Sequence, residues 1–196
     1  SSECKVERDE CMAGKTDEKR PLTLEEMTER LLEIPFLAIL DDEERKTLAE
    51  RLKSRRTTKN QPIFLQGDPG DEMYLLLEGR VRICCESLSG REITLAFLKD
   101  GGFFGEMALL DGEPRSATAI AETKGQLLML RRADFQSFLL DVPTAAISLL
   151  AFISGRLRRA NNKIQDLALL TVRERLAALL LDLAAREGEP LKGEAG

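Results

Sequence analysis

The sequence predicts a mainly β fold with helices: an antiparallel β-barrel or jelly roll, preceded by short helices and followed by one long helix. Three observations carry this expectation. From about Thr57 to Arg131 the apolar residues fall in short runs, several alternating with polar ones, bounded by Gly, Pro, Asp and Ser; that is the signature of short, half-buried strands. Ahead of this segment stand two capping boxes, Thr23 with Glu26 and Asp41 with Glu44, which open helices. After Asp141 the apolar spacing returns to three and four residues as far as about Leu170, the period of one helical face.

Taken in order, residues 1–20 hold eleven charged residues of both signs and little apolar content, so they read as a flexible tail. Residues 21–142 form the expected barrel with its N-terminal helices. The first helix runs through Met27, Leu31 and Leu32, and the second through Leu48 and Leu52 to end in the basic cluster Lys53, Arg55 and Arg56. Pro62–Gln66 reads as a strand closed by the turn residues Gly67, Asp68, Pro69 and Gly70. Met73–Leu77 reads as a buried strand, and Gly79 marks a turn or bulge. Val81, Ile83 and Cys85 alternate with Arg80, Arg82 and Cys84, as in a sheet with one wet face. A Ser89-Gly90 turn leads to the alternation Ile93, Leu95 and Phe97. Further strands are expected at about Arg115–Glu122 and Gln126–Leu130.

Residues 143–170 should form one long helix with Pro143 in its first turn. Ile147, Leu150, Ser154, Leu157, Asn161, Ile164 and Ala168 make a three-four seam. It suits a parallel two-stranded dimer, with Asn161 fixing register; the competing reading is an ordinary amphipathic helix packed on the barrel. A third capping box, Thr171 with Glu174, opens another helix at Val172 whose stripe Leu176, Leu179, Leu180 and Leu183 wants a partner. Residues 171–196 therefore read as the first helix of an incomplete domain plus a tail.

Composition narrows the function. The chain has no histidine, which removes the commonest general base, zinc ligand and haem ligand together. The four cysteines are Cys4, Cys11, Cys84 and Cys85. An iron–sulfur redox sensor needs four thiolates, but these spacings are not compact, and adjacent strand residues point to opposite faces. A net charge of −5 argues against nucleic-acid binding by the chain as a whole, so an anion would need a local pocket. With no membrane-length apolar run and no signal-peptide pattern, the chain reads as cytoplasmic.

The chemistry lies in Phe104–Ala119, FGEMALLDGEPRSATA. A buried anion needs a cation and several donors. Arg115 offers a planar fork matched to two phosphate oxygens. Gly105 allows close backbone approach, amides in a helical turn from Glu106 to Leu109 add donors, and Ser116 adds a hydroxyl. Glu106 cannot face a phosphate favourably; it suits a ribose 2′-hydroxyl, or counterbalances the arginine. The competing reading is a surface ion pair between Glu106 and Arg115.

This segment resembles the phosphate-binding cassette of cyclic-nucleotide-binding domains, F-G-E-x-A-L, a short gap, then P-R-S-A. Phe104, Gly105, Glu106, Ala108, Leu109, Pro114, Arg115, Ser116 and Ala117 match in order. From about Leu31 to Ala185 the chain is similar to catabolite-activator/Fnr (Crp-Fnr) transcriptional regulators. That resemblance implies a homodimer through helix 143–170, with cAMP or a related cyclic nucleotide as ligand, no other cofactor, and no enzymatic activity. It implies DNA reading by a winged helix-turn-helix whose recognition segment this chain lacks. It places Glu106 on the ribose, Arg115 and Ser116 on the phosphate, and the long-helix seam on the base. There the family's cAMP binders usually carry threonine then serine or asparagine, where this chain has Ala160 and Asn161. The expected site is Phe104, Gly105, Glu106, Met107, Ala108, Arg115, Ser116, Ala117 and Asn161, with no catalytic or metal-ligating residue. Arg156, beside seam residue Leu157, is expected either to approach Glu106 when nucleotide binds, or to join Arg158, Arg159 and Lys163 in a solvated basic face.

Overall fold

The computed structural model describes residues 22–87 and 90–187; the expected tail at 1–20 and most of the C-terminal tail lie outside them. Two short helices open the fold, α1 (Leu24–Arg30) and α2 (Asp42–Arg51), joined through a 3-10 turn at Leu31–Glu33. Both capping boxes form: Glu26 N–H donates to Thr23 Oγ1 at 3.2 Å and Glu44 N–H to Asp41 Oδ1 at 2.8 Å, each returned by the glutamate.

Eight strands follow: β1 (Lys53–Thr57), β2 (Pro62–Phe64), β3 (Glu72–Glu78), β4 (Val81–Glu86), β5 (Glu92–Leu98), β6 (Phe103–Phe104), β7 (Thr118–Ala121) and β8 (Gly125–Arg131). They form two antiparallel four-stranded sheets, ordered β1-β8-β3-β6 and β2-β7-β4-β5, in agreement with the predicted class. Between β6 and β7 lies the short helix α3 (Glu106–Asp111), and after β8 come α4 (Arg132–Asp141), α5 (Pro143–Leu169) and α6 (Val172–Glu187). α5 leaves α4 at 111°, with Pro143 starting the new helix, where its missing N–H costs nothing.

Strand β3 is buried on both faces, and the two-residue period divides its side chains cleanly. Met73, Leu75 and Leu77 join Leu128 and Leu130 of β8 in a core shared with Leu31, Phe36, Leu48, Phe135, Phe138 and Leu149 from the helices. Tyr74 and Leu76 face the barrel interior with Ile63, Val81, Phe104, Ala119 and Leu127. The two residues of β6 split likewise: Phe103 sits in the helical core at 4.6 Å from both the Phe36 and Phe152 rings, while Phe104 stacks on Tyr74 at 5.3 Å inside the barrel.

Four expectations need correction. The basic cluster at 53–56 does not end a helix but forms β1, paired with β8 from Lys53↔Met129 to Thr57↔Gly125. It is an edge strand, where lysine and arginine discourage further pairing, and its charges conceal the strand period. In β4 the even face is not uniformly wet: a bulge between Ile83 and Cys84 turns Cys84 inward, with Cys85 partly exposed. β5 is also an edge, and Ile93, Leu95 and Phe97 are at least half exposed on it. Helix α4, uncalled from sequence, interrupts the step from β8 to the long helix.

The long helix is two-sided. Ala145, Leu149, Phe152 and Ile153 pack on the barrel core, whereas seam residues Ile147, Leu150, Leu157 and Ile164 are each at least 60% exposed. The seam is therefore not the face that docks on the barrel. No single helix is long and apolar enough to cross a membrane among the described residues.

The two faces of the sheets set an energetic contrast. Removing the fully buried Phe103 ring should cost about 3–5 kcal/mol, whereas Phe97→Ala on the exposed β5 edge should cost less than about 1 kcal/mol. Urea denaturation of the two variants at equal protein concentration measures the difference.

Candidate functional site

The site is assembled where β6 meets α3 and the loop into β7 returns past the turn after β2. Gly105 caps α3 with φ +81°, a left-handed conformation that costs a side-chain-bearing residue more. Space requires it as well: a Cβ at Gly105 would lie 2.8 Å from Arg115 Nη1. Opposite it, a Cβ at Gly70 would lie 2.5 Å from Ala108 Cβ and 2.9 Å from Arg115 Nε. The two glycines are the walls of a slot cut to the width of one guanidinium.

Arg115 fills that slot and is only 5% exposed. Nη1 donates to Gly105 O at 2.8 Å and Nη2 to Glu72 O at 2.6 Å, while the guanidinium carbon sits 4.2 Å over the Phe64 ring. The backbone of Arg115 is tied as firmly: its N–H donates to Asp68 O and its carbonyl accepts from Gly67 N–H, both at 2.9 Å. Burial pushes the guanidinium below its ordinary value, opposed by Tyr74, Glu72 and Asp71; an arginine nevertheless keeps its proton. Nε is buried with no hydrogen-bond partner among the described residues. A buried cation with a spare donor suits an anion.

Glu106, 3% exposed, does not pair with Arg115. Its Oε1 accepts from Arg156 Nη1 at 2.7 Å, and Arg156 Nη2 donates to Phe103 O at 2.6 Å. Arg156 also lies between the rings of Phe103 and Phe152, 4.7 and 4.8 Å from their centroids. Arg156 therefore meets Glu106 rather than standing in a solvated basic face; the expected link of that contact to nucleotide binding is a separate matter. Burial holds the Glu106 carboxyl above the usual carboxylate range, against the opposing pull of Arg156, its own backbone N–H and Arg115.

The remaining expected residues divide by location. Phe104, Ala108 and Ala117 are buried around the slot. Ser116 Oγ points at Met107 Sδ, 3.7 Å away, at the exposed mouth. Asn161 is not brought to the cassette: it stands exposed on α5 with no side-chain hydrogen bond among the described residues, roughly 7.5 Å along the helix beyond Arg156 at 1.5 Å per residue. Sequence reasoning missed Gly70, Glu72 and Phe64. Glu72 serves through its carbonyl, which leaves no mark on residue identity, but the turn glycine at 70 was a usable signal. Cys84 and Cys85 belong to no group of three or more potential metal ligands among the described residues.

Comparison with known proteins agrees with this geometry. The family model described as the cyclic nucleotide-binding domain matches residues 54–141. The cyclic AMP receptor protein of Thermus thermophilus is 41% identical over 133 residues, covering 68% of this chain and 62% of that protein. A CRP-like cAMP-activated global transcriptional regulator of Mycobacterium tuberculosis is 33% identical over 141 residues, covering 72% and 63%. The chain thus spans a little over three fifths of the length of these relatives. The crystal structure of the Thermus thermophilus catabolite activator protein superposes with a TM-score of 0.65 at 37% identity, covering 78% of this chain and 72% of that one. Slot, cassette pattern, sheet topology and sequence kinship agree, and the chain belongs to the Crp-Fnr family, with a cyclic nucleotide-binding domain at its centre.

Proposed function

We propose that this chain is the ligand-sensing part of a transcriptional regulator. It takes a cyclic nucleotide, cAMP by preference, into the barrel and relays occupancy to α5, through which two copies pair. The observation that carries the reading is the buried Arg115 with its unpartnered Nε, walled by Gly70 and Gly105. A singly charged cyclic phosphodiester suits a cation held at this point, and its oxygens can accept what Arg115, Ser116 Oγ and the first amides of α3 donate. A catalytic reading lacks support, since the carboxylate of Glu106 is committed to Arg156.

Specificity follows from the far side of the slot. Glu106 is placed to accept from a ribose 2′-hydroxyl while keeping Arg156, because a carboxylate accepts several hydrogen bonds. Asn161, farther along α5, supplies the group that meets the base, and Ala160 withholds a second hydroxyl there. The exposed seam Ile147, Leu150, Leu157 and Ile164 is the surface a second copy covers, since a regular apolar stripe left in water is costly. DNA binding belongs to the wider family architecture and is a partner of the whole regulator.

Titration calorimetry with cAMP tests the pocket: the wild type should bind, and Arg115→Ala should weaken binding at least about 100-fold, because a buried phosphate loses its charged partner. Unchanged affinity would sink the assignment. Sedimentation tests the dimer: Leu157→Glu should shift the protein to monomer, and a dimer that survives this charge in its seam refutes the α5 interface.

The Glu106–Arg156 pair gives a pH signature. Because the folded state holds the Glu106 proton more tightly than the unfolded chain, its contribution to stability falls as pH rises from the ordinary carboxylate range through the higher folded value. Glu106→Gln should flatten that limb of the stability–pH profile. Arg156→Met should extend it to higher pH, because the opposing charge is gone. Urea midpoints measured across mildly acidic pH decide this, and identical profiles in all three proteins would refute it.

A further inference from the structure

The β2–β3 turn is gripped from a direction the ligand pocket does not explain. Arg132, the first residue of α4, donates its backbone N–H to Asp71 O at 2.8 Å and its Nη2 to Gly70 O at 2.7 Å. Its Nη1 reaches Leu109 O in the last turn of α3 at 3.2 Å, and its Nε lies 3.3 Å from Asp71 Oδ1. With Arg115 Nη2 on Glu72 O, two arginines hold three successive carbonyls, at 70, 71 and 72. The Asp71 carboxylate is 81% exposed, so that ion pair contributes little. The carbonyl contacts matter more, since a half-buried cation on a carbonyl makes a strong hydrogen bond.

Helix α3 gives these contacts a purpose. At six residues it cannot satisfy its own last carbonyls, and a cation at that end is favoured on both hydrogen-bonding and dipole grounds. The same side chain holds the backbone carbonyl of Gly70, where an added Cβ would collide with Ala108 Cβ and Arg115 Nε. We infer that Arg132 is a positioning residue of the anion slot: without touching the ligand, it sets the distance between the Gly70 wall and α3, and so the place of the Arg115 guanidinium. It also makes α4, the helix leading into α5, part of the slot's frame.

The affinity arm of the test rests on the sensor reading; the exchange arm does not. Arg132→Met, Arg132→Lys and the exposed neighbour Arg131→Met are compared with wild type by amide hydrogen exchange without ligand and by cAMP calorimetry. In Arg132→Met, exchange at 106–111 and 70–72 should rise about tenfold or more while the core of β3 and β8 keeps its protection, and cAMP affinity should fall by a similar factor. Lysine, with one ammonium in place of a fork, should not restore either value, and Arg131→Met should change neither. If Arg132→Met does not fold, Arg132→Lys carries the same two readouts. Exchange that is unchanged, or uniformly faster across the barrel, overturns the inference, as does local loosening without loss of cAMP affinity. If the wild type takes up no cyclic nucleotide, the sensor reading falls, and the exchange pattern alone decides whether Arg132 holds the slot.

Discussion

A guanidinium enclosed by a small β-barrel is an expensive object, and most of what is distinctive near the centre of this molecule exists to make it tolerable. Removing a unit charge from water costs several kcal/mol even after relaxation. Arg115 recovers part of that through two backbone carbonyls and the face of Phe64. Those carbonyls are available because the turn after β2 and the bend into α3 each bring bare backbone to the guanidinium, and only glycine permits the approach at 70 and 105. The remaining donor, Nε, is the one the proposed anion would meet. Arg132 holds the backbone of the Gly70 wall and the end of α3 from outside.

The slot is joined to the long helix through the parity of one short strand. Phe103 and Phe104 are consecutive, so they face opposite sides of the sheet. Phe104 lines the pocket side with Tyr74, and Phe103 lies against Phe36 and Phe152 on the helical side. Arg156 takes the carbonyl of the first and the carboxylate of Glu106 two residues past the second. The cassette and α5 are thus joined by direct contact, with no long chain of intermediaries.

Much of this was legible in the sequence, and the reasons differ by residue. The cassette could be read because its demands fall on side-chain identity in one contiguous run: glycine where φ is positive, arginine where a fork is needed, small residues where the wall is close. The capping boxes could be read because both partners are local. The surroundings of Arg115 could not, since Glu72 acts through its carbonyl and Arg132 reaches the Gly70 backbone only through tertiary folding. β1 was hidden because an edge strand of arginine and lysine carries no apolar period, and the inward turn of Cys84 because a bulge breaks the alternation it would otherwise obey. Arg156 stood between two readings that only geometry could separate, for a basic residue on a helix looks the same whether it faces water or a buried carboxylate.

The placement of Arg156 beside Leu157 bears on what the proposed sensor could transmit. Adjacent residues on an α-helix point about 100° apart, so one turn of α5 serves two surfaces. Arg156 holds the pocket, while Leu157 belongs to the exposed seam together with Leu150 and Ile164. In the proposed sensor a ribose hydroxyl arriving at Glu106 would share the carboxylate that positions Arg156, and a rotation of the helix that followed would re-aim the seam by the same angle. A stripe only a few side chains wide is sensitive to such rotation, because knobs fit holes at one register. The pocket need not push the two copies apart or together; biasing the angle of α5 is enough to favour one packing of the pair over another.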